Sequence, residues 1–418
     1  MTENKNIPKH WQVKKLGEVA DYINGRAFKP TEWEKSGNPI IRIQNLNKAE
    51  AVYNYSKLVF EERYKVLKGD LLYAWSASLG VYIWNGGNAW LNQHIFKVVP
   101  KSICDKKYLF YTLEKITSEL YAKAHGSGMV HVTKGKFEET KILLPPLPEQ
   151  QLIVSKIEEL ISDLDNGKQQ LQIAQQQLKV YRQSLLKWAF EGKLTNKNVE
   201  EGELPKGWTW VNIDTLLADK KKGMATGPFG TMLKKSEHQN SGVPVLGIEN
   251  IGEGIFQMPN KIFVTKEKAI ELKNFRVKEN DIIISRSGTV GEICLLPKRM
   301  ENSIISTNLI RVSLNQAVIN PKYFVYLFQG GKVRQQVYDL CKGSSRAFLN
   351  QTILNSLDFP FCTLEEQQRV IDELESKLTI CDKIEETISQ SLLQAETLRQ
   401  SILKKAFEGK LVNSKYGN

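Results

Sequence analysis

Residues Glu149 to Leu194 recur without a gap 217 positions further along the chain. Glu149-Gln150-Gln151 returns as Glu366-Gln367-Gln368, Arg182-Gln183-Ser184 as Arg399-Gln400-Ser401, and Ala189-Phe190-Glu191-Gly192-Lys193-Leu194 as Ala406-Phe407-Glu408-Gly409-Lys410-Leu411. One offset through three separate matches makes the chain a duplicated unit, which any fold must respect. Fainter matches extend the repeat outward. Pro8-Lys9-His10-Trp11 is echoed by Pro205-Lys206-Gly207-Trp208, and Pro39 to Leu46 by Pro244 to Ile251. Asp70-Leu71-Leu72 is echoed by Asp281-Ile282-Ile283, and Gly126-Ser127 by Gly343-Ser344. The expected division is a globular domain over 1–148, a helical spacer over 149–195, a second domain over 196–364, a second spacer over 365–412 and a tail over 413–418.

The repeated segments carry a heptad rhythm. From Val154 to Ala189 the seam steps alternately by three and four, and adding the offset gives Ile371 to Ala406 in the same register. Its apolar members are Ile157, Ile161, Leu164, Leu171, Leu178 and Leu185 in the first copy. In the second they are Leu374, Leu378, Ile388, Leu392 and Ile402, and Cys381 falls on the same stripe as a core residue. Lys168, Gln175 and Arg182 interrupt one column. A lone helix of this kind would expose its stripe, so each needs a partner, and the other copy is the obvious one. Prolines at Pro145, Pro146 and Pro148 delimit the first start, with Glu149 in the first turn where a carboxylate favours the dipole. Gly192 and Gly409 sit where a C-terminal cap belongs. Gly167 interrupts the first helix without evident reason.

Between the helices the pattern is mixed. Ile40 to Ile43, Leu71 to Tyr73, Val243 to Ile248 and Asp281 to Ile284 have strand character, while Tyr108 to Leu120 and Tyr323 to Leu340 are expected to be helical. The fold class is therefore α+β, two globular domains joined by two long helices, with an internal pseudo-two-fold repeat.

Composition narrows the function. The 418 residues are 41% hydrophobic and 25% charged, a globular balance, and no apolar run reaches the length of a membrane helix. The start has no apolar stretch behind basic residues, and the five cysteines form no C-x-x-C, so a cytoplasmic protein with reduced thiols and no zinc site is expected. A net charge of +12 favours a polyanionic partner. Lys220-Lys221-Lys222 and Lys234-Lys235, around the turn Gly227-Pro228-Phe229-Gly230, suit phosphate contact. Catalytic signatures are missing: there is no G-x-x-x-x-G-K-[ST], no G-x-G-x-x-G and no H-E-x-x-H. Glu191-Gly192-Lys193 and Glu408-Gly409-Lys410 fit half of a nuclease motif, but they follow a helix with no acidic strand nearby and read as structural.

Two unlike domains, each followed by an E-Q-Q…R-Q-S…A-F-E-G-K-L helix, resemble over the full chain the specificity subunit of type I restriction-modification systems. The resemblance implies two target recognition domains, each reading half of a split double-stranded DNA site, with the two helices paired as an antiparallel coiled coil that sets their spacing. It implies methyltransferase and restriction subunits as partners. These would use S-adenosylmethionine, ATP and Mg; this chain would bind no cofactor or metal and catalyse nothing. Two alternatives stay open: the specificity chain of a fused restriction-methylation enzyme, and a basic coiled-coil scaffold that reads no sequence. Candidate DNA contacts on recurring turns are Arg42, Gln44, Trp75, Ser76 and Ser127 in the first domain. In the second they are Lys222, Lys234, Lys235, Arg286, Ser287, Ser344 and Arg346. Arg suits guanine and Gln or Asn suits adenine. Asn45 and Asn250 recur in place and read as turn residues.

Overall fold

A computed structural model describes residues 8–48, 50–76, 78–123, 133–252, 254–341 and 348–412. The chain divides into two compact units that are not consecutive in sequence: residues 1–171 with 390–418, and residues 172–389. Each unit therefore contains one globular domain, one half of the first long helix, Leu147–Phe190, and one half of the second, Leu364–Phe407.

In the first unit a four-stranded antiparallel sheet has the order Ala20–Asn24, Ile95–Pro100, Leu71–Ala74, Gly80–Ile83. A second sheet holds Asn38–Ile41 parallel to Ala89–Leu91. In the second unit the order is Met224–Thr226, Leu309–Val312, Ile282–Ser285, Ile293–Leu295, and Val243–Leu246 runs parallel to Ile304–Ile305. Both domains share one strand plan. In each, a short strand after the Pro-x-x-Trp motif pairs with the strand that leads into a long helix: Gln12–Lys15 with Lys141–Leu144, and Thr209–Val211 with Phe359–Phe361.

Several sequence expectations shift. The strand expected over Val243 to Ile248 ends at Leu246, and Ile248 opens a 3-10 turn, Ile248–Asn250. Arg42 and Ile43 lie beyond the strand, and Ile43 opens a short helix, Ile43–Asn47. The stretch expected as one helix from Tyr323 is two, Pro321–Gln329 and Gly331–Cys341. They are broken at Gly330, whose backbone is extended (ψ 151) and where a β carbon would stand 2.7 Å from the Phe190 ring. The break makes room for the end of the first long helix.

Each long helix is 44 residues, about 66 Å at 1.5 Å per residue. Pro148 sits in the first turn, where its missing N–H is no loss. The pairing is antiparallel within each unit. In the first, Asp165 lies 3.7 Å from Arg399 and Lys168 lies 3.2 Å from Glu396, so numbers rise on one helix as they fall on the other. In the second, Arg182 reaches Asp382 at 2.6 Å and Glu385 at 3.1 Å. Asp165–Arg399 and Arg182–Asp382 are one contact made twice, with the helices exchanging roles. The seam residues Ile157, Ile161, Leu178, Leu185, Leu374, Ile388 and Ile402 are buried, as is Cys381, and Leu164, Leu171, Leu378 and Leu392 are half-buried.

The repeated hexapeptide ends each helix against a domain. Gly192 (φ +74) and Gly409 (φ +71) are left-handed caps, with Lys193 and Lys410 N–H donating back to the Trp188 and Lys405 carbonyls at 2.8 and 2.9 Å. Side chains there are excluded by packing too: a β carbon would stand 2.1 Å from Pro205 and 2.5 Å from Pro8 respectively. Phe190 meets Tyr323 edge-on and Phe407 meets Tyr108 the same way. The last turn of the chain thus closes on its first described residues.

Candidate nucleic-acid interface

The repeated Glu-Gln-Gln opens each long helix and fixes it to its domain. Gln150 is fully buried. Its amide donates to the Ile103 and Pro145 carbonyls, both at 2.9 Å, and accepts from Asp105 N–H at 2.7 Å. Gln367 repeats this against Val318, Cys362 and Asn320 at 3.0, 2.9 and 2.8 Å. Glu149 accepts from His10 at 2.7 Å and the Trp11 indole at 3.1 Å; Glu366 accepts from Thr195 at 2.6 Å and Asn196 at 3.1 Å. The Glu-x-Lys pairs bond within themselves, Lys193 to Glu191 and Lys410 to Glu408, both at 2.7 Å. These residues hold the scaffold.

The turns at the strand ends differ between domains on a common frame. Gly25 and Gly227 pass so close to a neighbouring strand end that a β carbon would lie 2.0 Å from the Asn92 carbonyl oxygen and 1.9 Å from that of Ser306. One residue past the central strand, Trp75 N–H donates to the His94 carbonyl at 3.1 Å, and Arg286 N–H donates to that of Asn308 at 2.9 Å. The backbone positions match; the side chains do not.

In the first unit this cluster unites Asn24, Trp75 and His94, and Arg26 follows Gly25 on the adjoining turn. The Trp75 indole donates to Asn24 Oδ1 at 3.2 Å and stacks on Phe96 at 5.5 Å between centroids. His94 holds a positive φ of 70°. Arg26 lies against the edge-on pair Phe28 and Phe60 and is bound by both Glu32 oxygens, at 2.9 and 2.6 Å. The Arg26 hydrogen bonds hold the Glu32 carboxyl well down, to about 2. Ser76 adjoins Trp75, half-buried, its carbonyl accepting from Ser78 N–H. Arg42 lies over the Trp33 ring at 5.8 Å, and Gln44 is exposed on the short helix Ile43–Asn47. Asn45 is buried, bonding Arg42 N–H and the Ala51 and Val52 carbonyls, and Asn250 does likewise with Gly247 and Gln257.

In the second unit the cluster unites Phe229, Arg286, Ser287, Thr307, Asn308 and Phe348. Ser287 donates to Asn308 Oδ1 at 2.8 Å, and Thr307 Oγ1 bonds the Pro228 carbonyl. Lys222 stands apart, on the turn before the strand Met224–Thr226, where its carbonyl accepts from Arg311 at 3.1 Å. Lys234 and Lys235 are exposed on a short turn beside the Glu237–Lys268 pair. None of these three lysines forms an ion pair among the described residues. Ser127, Ser344 and Arg346 lie outside the described residues. Sequence reasoning missed Arg26, Phe28, Phe60, His94, Thr307, Asn308 and Phe348, and treated Phe229 only as part of a turn. The glycine preceding Arg26 and that preceding Pro228 were the available signal.

Among the described residues no cluster of three or more His, Cys, Asp or Glu could hold a metal, and no helix is long and apolar enough to cross a membrane.

Comparison with known proteins agrees with this geometry. Residues 8–175 and 225–394 each match the family described as type I restriction modification DNA specificity domain. The chain is similar to the type I restriction enzyme EcoBI specificity subunit of Escherichia coli, 27% identical over 97% of this chain and 87% of that one. It is also similar to the MjaVIII specificity subunit of Methanocaldococcus jannaschii, 26% identical over 97% and 94%. Among solved structures, a chain from a study of type I restriction-modification complex assembly has a TM-score of 0.71 at 19% identity, covering 97% of this chain and 100% of that one. The HsdS subunit from Thermoanaerobacter tengcongensis has 0.59 at 19% identity, covering 97% and 98%. At that identity the structural likeness speaks to the fold.

Proposed function

Because the chain belongs to the type I restriction-modification DNA specificity family, we propose that it is the non-catalytic DNA-reading subunit of a type I restriction-modification complex. It reads a bipartite, asymmetric double-stranded target, one half-site per domain, and docks methyltransferase and restriction subunits. The methyltransferase brings S-adenosylmethionine for adenine methylation, the restriction subunit brings ATP and Mg, and this chain binds no cofactor itself. The complex works in the cytoplasm.

The observation that carries this reading is a kept frame with exchanged side chains. Gly25 and Gly227 make the same close approach and Gln150 and Gln367 the same clamp, yet Trp75 stands where Arg286 stands and His94 where Asn308 stands. Backbone contacts position a protein on DNA and base-edge contacts specify the sequence, so a reader can vary only where the scaffold does not depend on it. Two unlike clusters on one frame fit two unlike half-sites. A net charge of +12 supports phosphate contact beside them.

The test is adenine-methylation mapping of genomic DNA in cells carrying the partner subunits, with and without this chain. Methylation of a split motif that needs this chain is expected. Replacing residues 205–363 with the matching domain of a relative should change one half-site and leave the other; both altered together would reject one half-site per domain. Affinity of the assembled complex for its target should fall steeply with salt, by about 0.9 log units per log unit of salt for each phosphate neutralised. A flat salt response would count heavily against DNA reading.

A further inference from the structure

Each domain holds one arginine beside two phenylalanine rings, and only one of the two arginines has a carboxylate partner among the described residues. In the first unit the Arg26 guanidinium lies 5.0 Å from the centre of Phe28 and 4.4 Å from that of Phe60, and Glu32 fills its donors from within. In the second unit the Arg286 guanidinium lies 5.3 Å from Phe229 and 3.9 Å from Phe348. Arg286 is only 6% exposed, yet among the described residues it has no carboxylate partner. Nη1 makes one long bond, to the Thr307 carbonyl at 3.3 Å, and Nε is buried with no acceptor. Burial pulls its proton affinity below the usual arginine range. A cation largely taken out of water, with Nε unsatisfied and one long bond from Nη1 among the described residues, is costly, and an acceptor arriving from outside would offset that cost.

The surroundings indicate where that acceptor comes from. The flanking rings stand at the surface, Phe229 58% and Phe348 38% exposed. The turn bearing Arg286 is tied to its neighbours: Arg286 N–H donates to the Asn308 carbonyl at 2.9 Å, Leu349 N–H donates to the Arg286 carbonyl at 2.9 Å, and Ser287 bonds Asn308. A phosphate needs only a charge, and Lys222, Lys234 and Lys235 offer exposed ones. A guanidinium held against phenylalanine rings on a fixed turn is instead suited to a planar pair of acceptors. The matching backbone position in the first domain carries Trp75, so the side chain here differs between domains, as a base-reading position requires and a phosphate contact does not.

We propose that Arg286 reads a guanine in the half-site of the second domain, its guanidinium donating to guanine O6 and N7, with Phe229 and Phe348 as positioning residues that hold its plane. The proposal rests on the DNA-reading function above and names its chemistry at one position.

The test uses the full complex with its methyltransferase partner. Methylation mapping with the 205–363 exchange first assigns the second half-site. That half-site must contain an invariant G·C pair; a half-site with none overturns the proposal. On wild-type complex, 7-deazaguanine placed at each such guanine in turn removes N7, and at one of them binding should weaken by about 10-fold to 100-fold. This arm needs no altered protein, so it stands even if a variant folds poorly. Arg286→Lys should then relax that one position while the first half-site stays fixed, and Phe348→Ala should weaken the same position in part. If Arg286→Lys keeps the full motif, or deazaguanine has no effect anywhere in that half-site, the guanine assignment is wrong. Loss of about one unit of salt slope in Arg286→Gln with the motif intact would make Arg286 a phosphate contact and equally overturn it. If wild-type complex shows no split motif at all, the DNA-reading function fails first, and distinguishably.

Discussion

A buried amide ties the start of each long helix to its domain, and its replacement should be expensive. Gln150→Leu would strand Asp105 N–H and the carbonyls of Ile103 and Pro145 in a buried place. The expected loss is roughly 2–4 kcal/mol of stability in the first unit. Calorimetry would read it as a lowered transition, and hydrogen exchange at Asp105 N–H should accelerate; an unmoved transition would mean water takes over these bonds. Gly167 runs the other way. A β carbon there meets nothing within 4 Å and the position is exposed within an unbroken helix. Gly167→Ala should stabilise by about 1 kcal/mol, and a neutral or lowered melting temperature would show that the glycine serves something beyond this chain. Gln150 was visible in the sequence as part of a recurring motif, but a repeat shows sameness and not what is buried. The arginine clamps were invisible for a firmer reason. Phe229, Arg286 and Phe348 come from three distant turns, and nothing local in the sequence brings them together.

At the scale of elements, the long helices were the most legible part, because an apolar column at seven-residue spacing specifies both a helix and a partner. The break at Gly330 was not legible: its cause is Phe190, from the end of a helix far away in sequence. The polar column was legible only as an anomaly. It resolves into ion pairs in which each arginine of the repeated Arg-Gln-Ser finds the partner helix's aspartate, Asp382 or Asp165. Lys168 pairs with Glu396, while Glu385 serves Arg182. These surface pairs are worth little each, about 0–1 kcal/mol, but they pin one register in both units. Four residues inserted after Gln172 would lengthen one helix by about 6 Å and slip that register. The pairs of one unit could be kept only by giving up those of the other. The expected result is a lowered melting temperature with altered spacing between methylated half-sites, or no assembled complex. Unchanged spacing at full activity would show that the helices do not act as the ruler.

The whole molecule is two copies of a domain–helix unit, each completed by the other copy's helix. The helix end that closes the first domain, Ala406 to Leu411, is identical in sequence to Ala189 to Leu194. A chain of residues 1–197 therefore carries a Phe190 able to meet the Tyr108 of a second copy as Phe407 does, and a Gly192 able to pass its Pro8 as Gly409 does. In such a homodimer the partner's Arg182 takes the place of Arg399 and again faces Asp165, but the second carboxylate that Arg182 meets, Glu385, is replaced by Lys168. The partner's Lys179 takes the place of Glu396, and so faces Lys168. Four like-charged pairs arise, Lys168 with Lys179 twice and Lys168 with Arg182 twice, each costing ~0.2–0.5 kcal/mol by analogy with helix-surface pairs. Residues 198–418 paired with themselves would face Glu385 with Glu396 instead. Each half therefore prefers the other half to itself, by a margin too small to forbid self-pairing against the apolar seam. The 1–197 chain should dimerise antiparallel, more tightly as salt screens the lysines, and Lys179→Glu should give the same gain at low salt. With its methyltransferase partner the dimer should modify an interrupted palindrome built from the first half-site, since two-fold related readers contact inverted copies of one sequence. Sedimentation across salt concentrations and methylation mapping read both claims. A folded 1–197 monomer that neither associates at high salt nor methylates a palindrome would show that the two halves are not interchangeable.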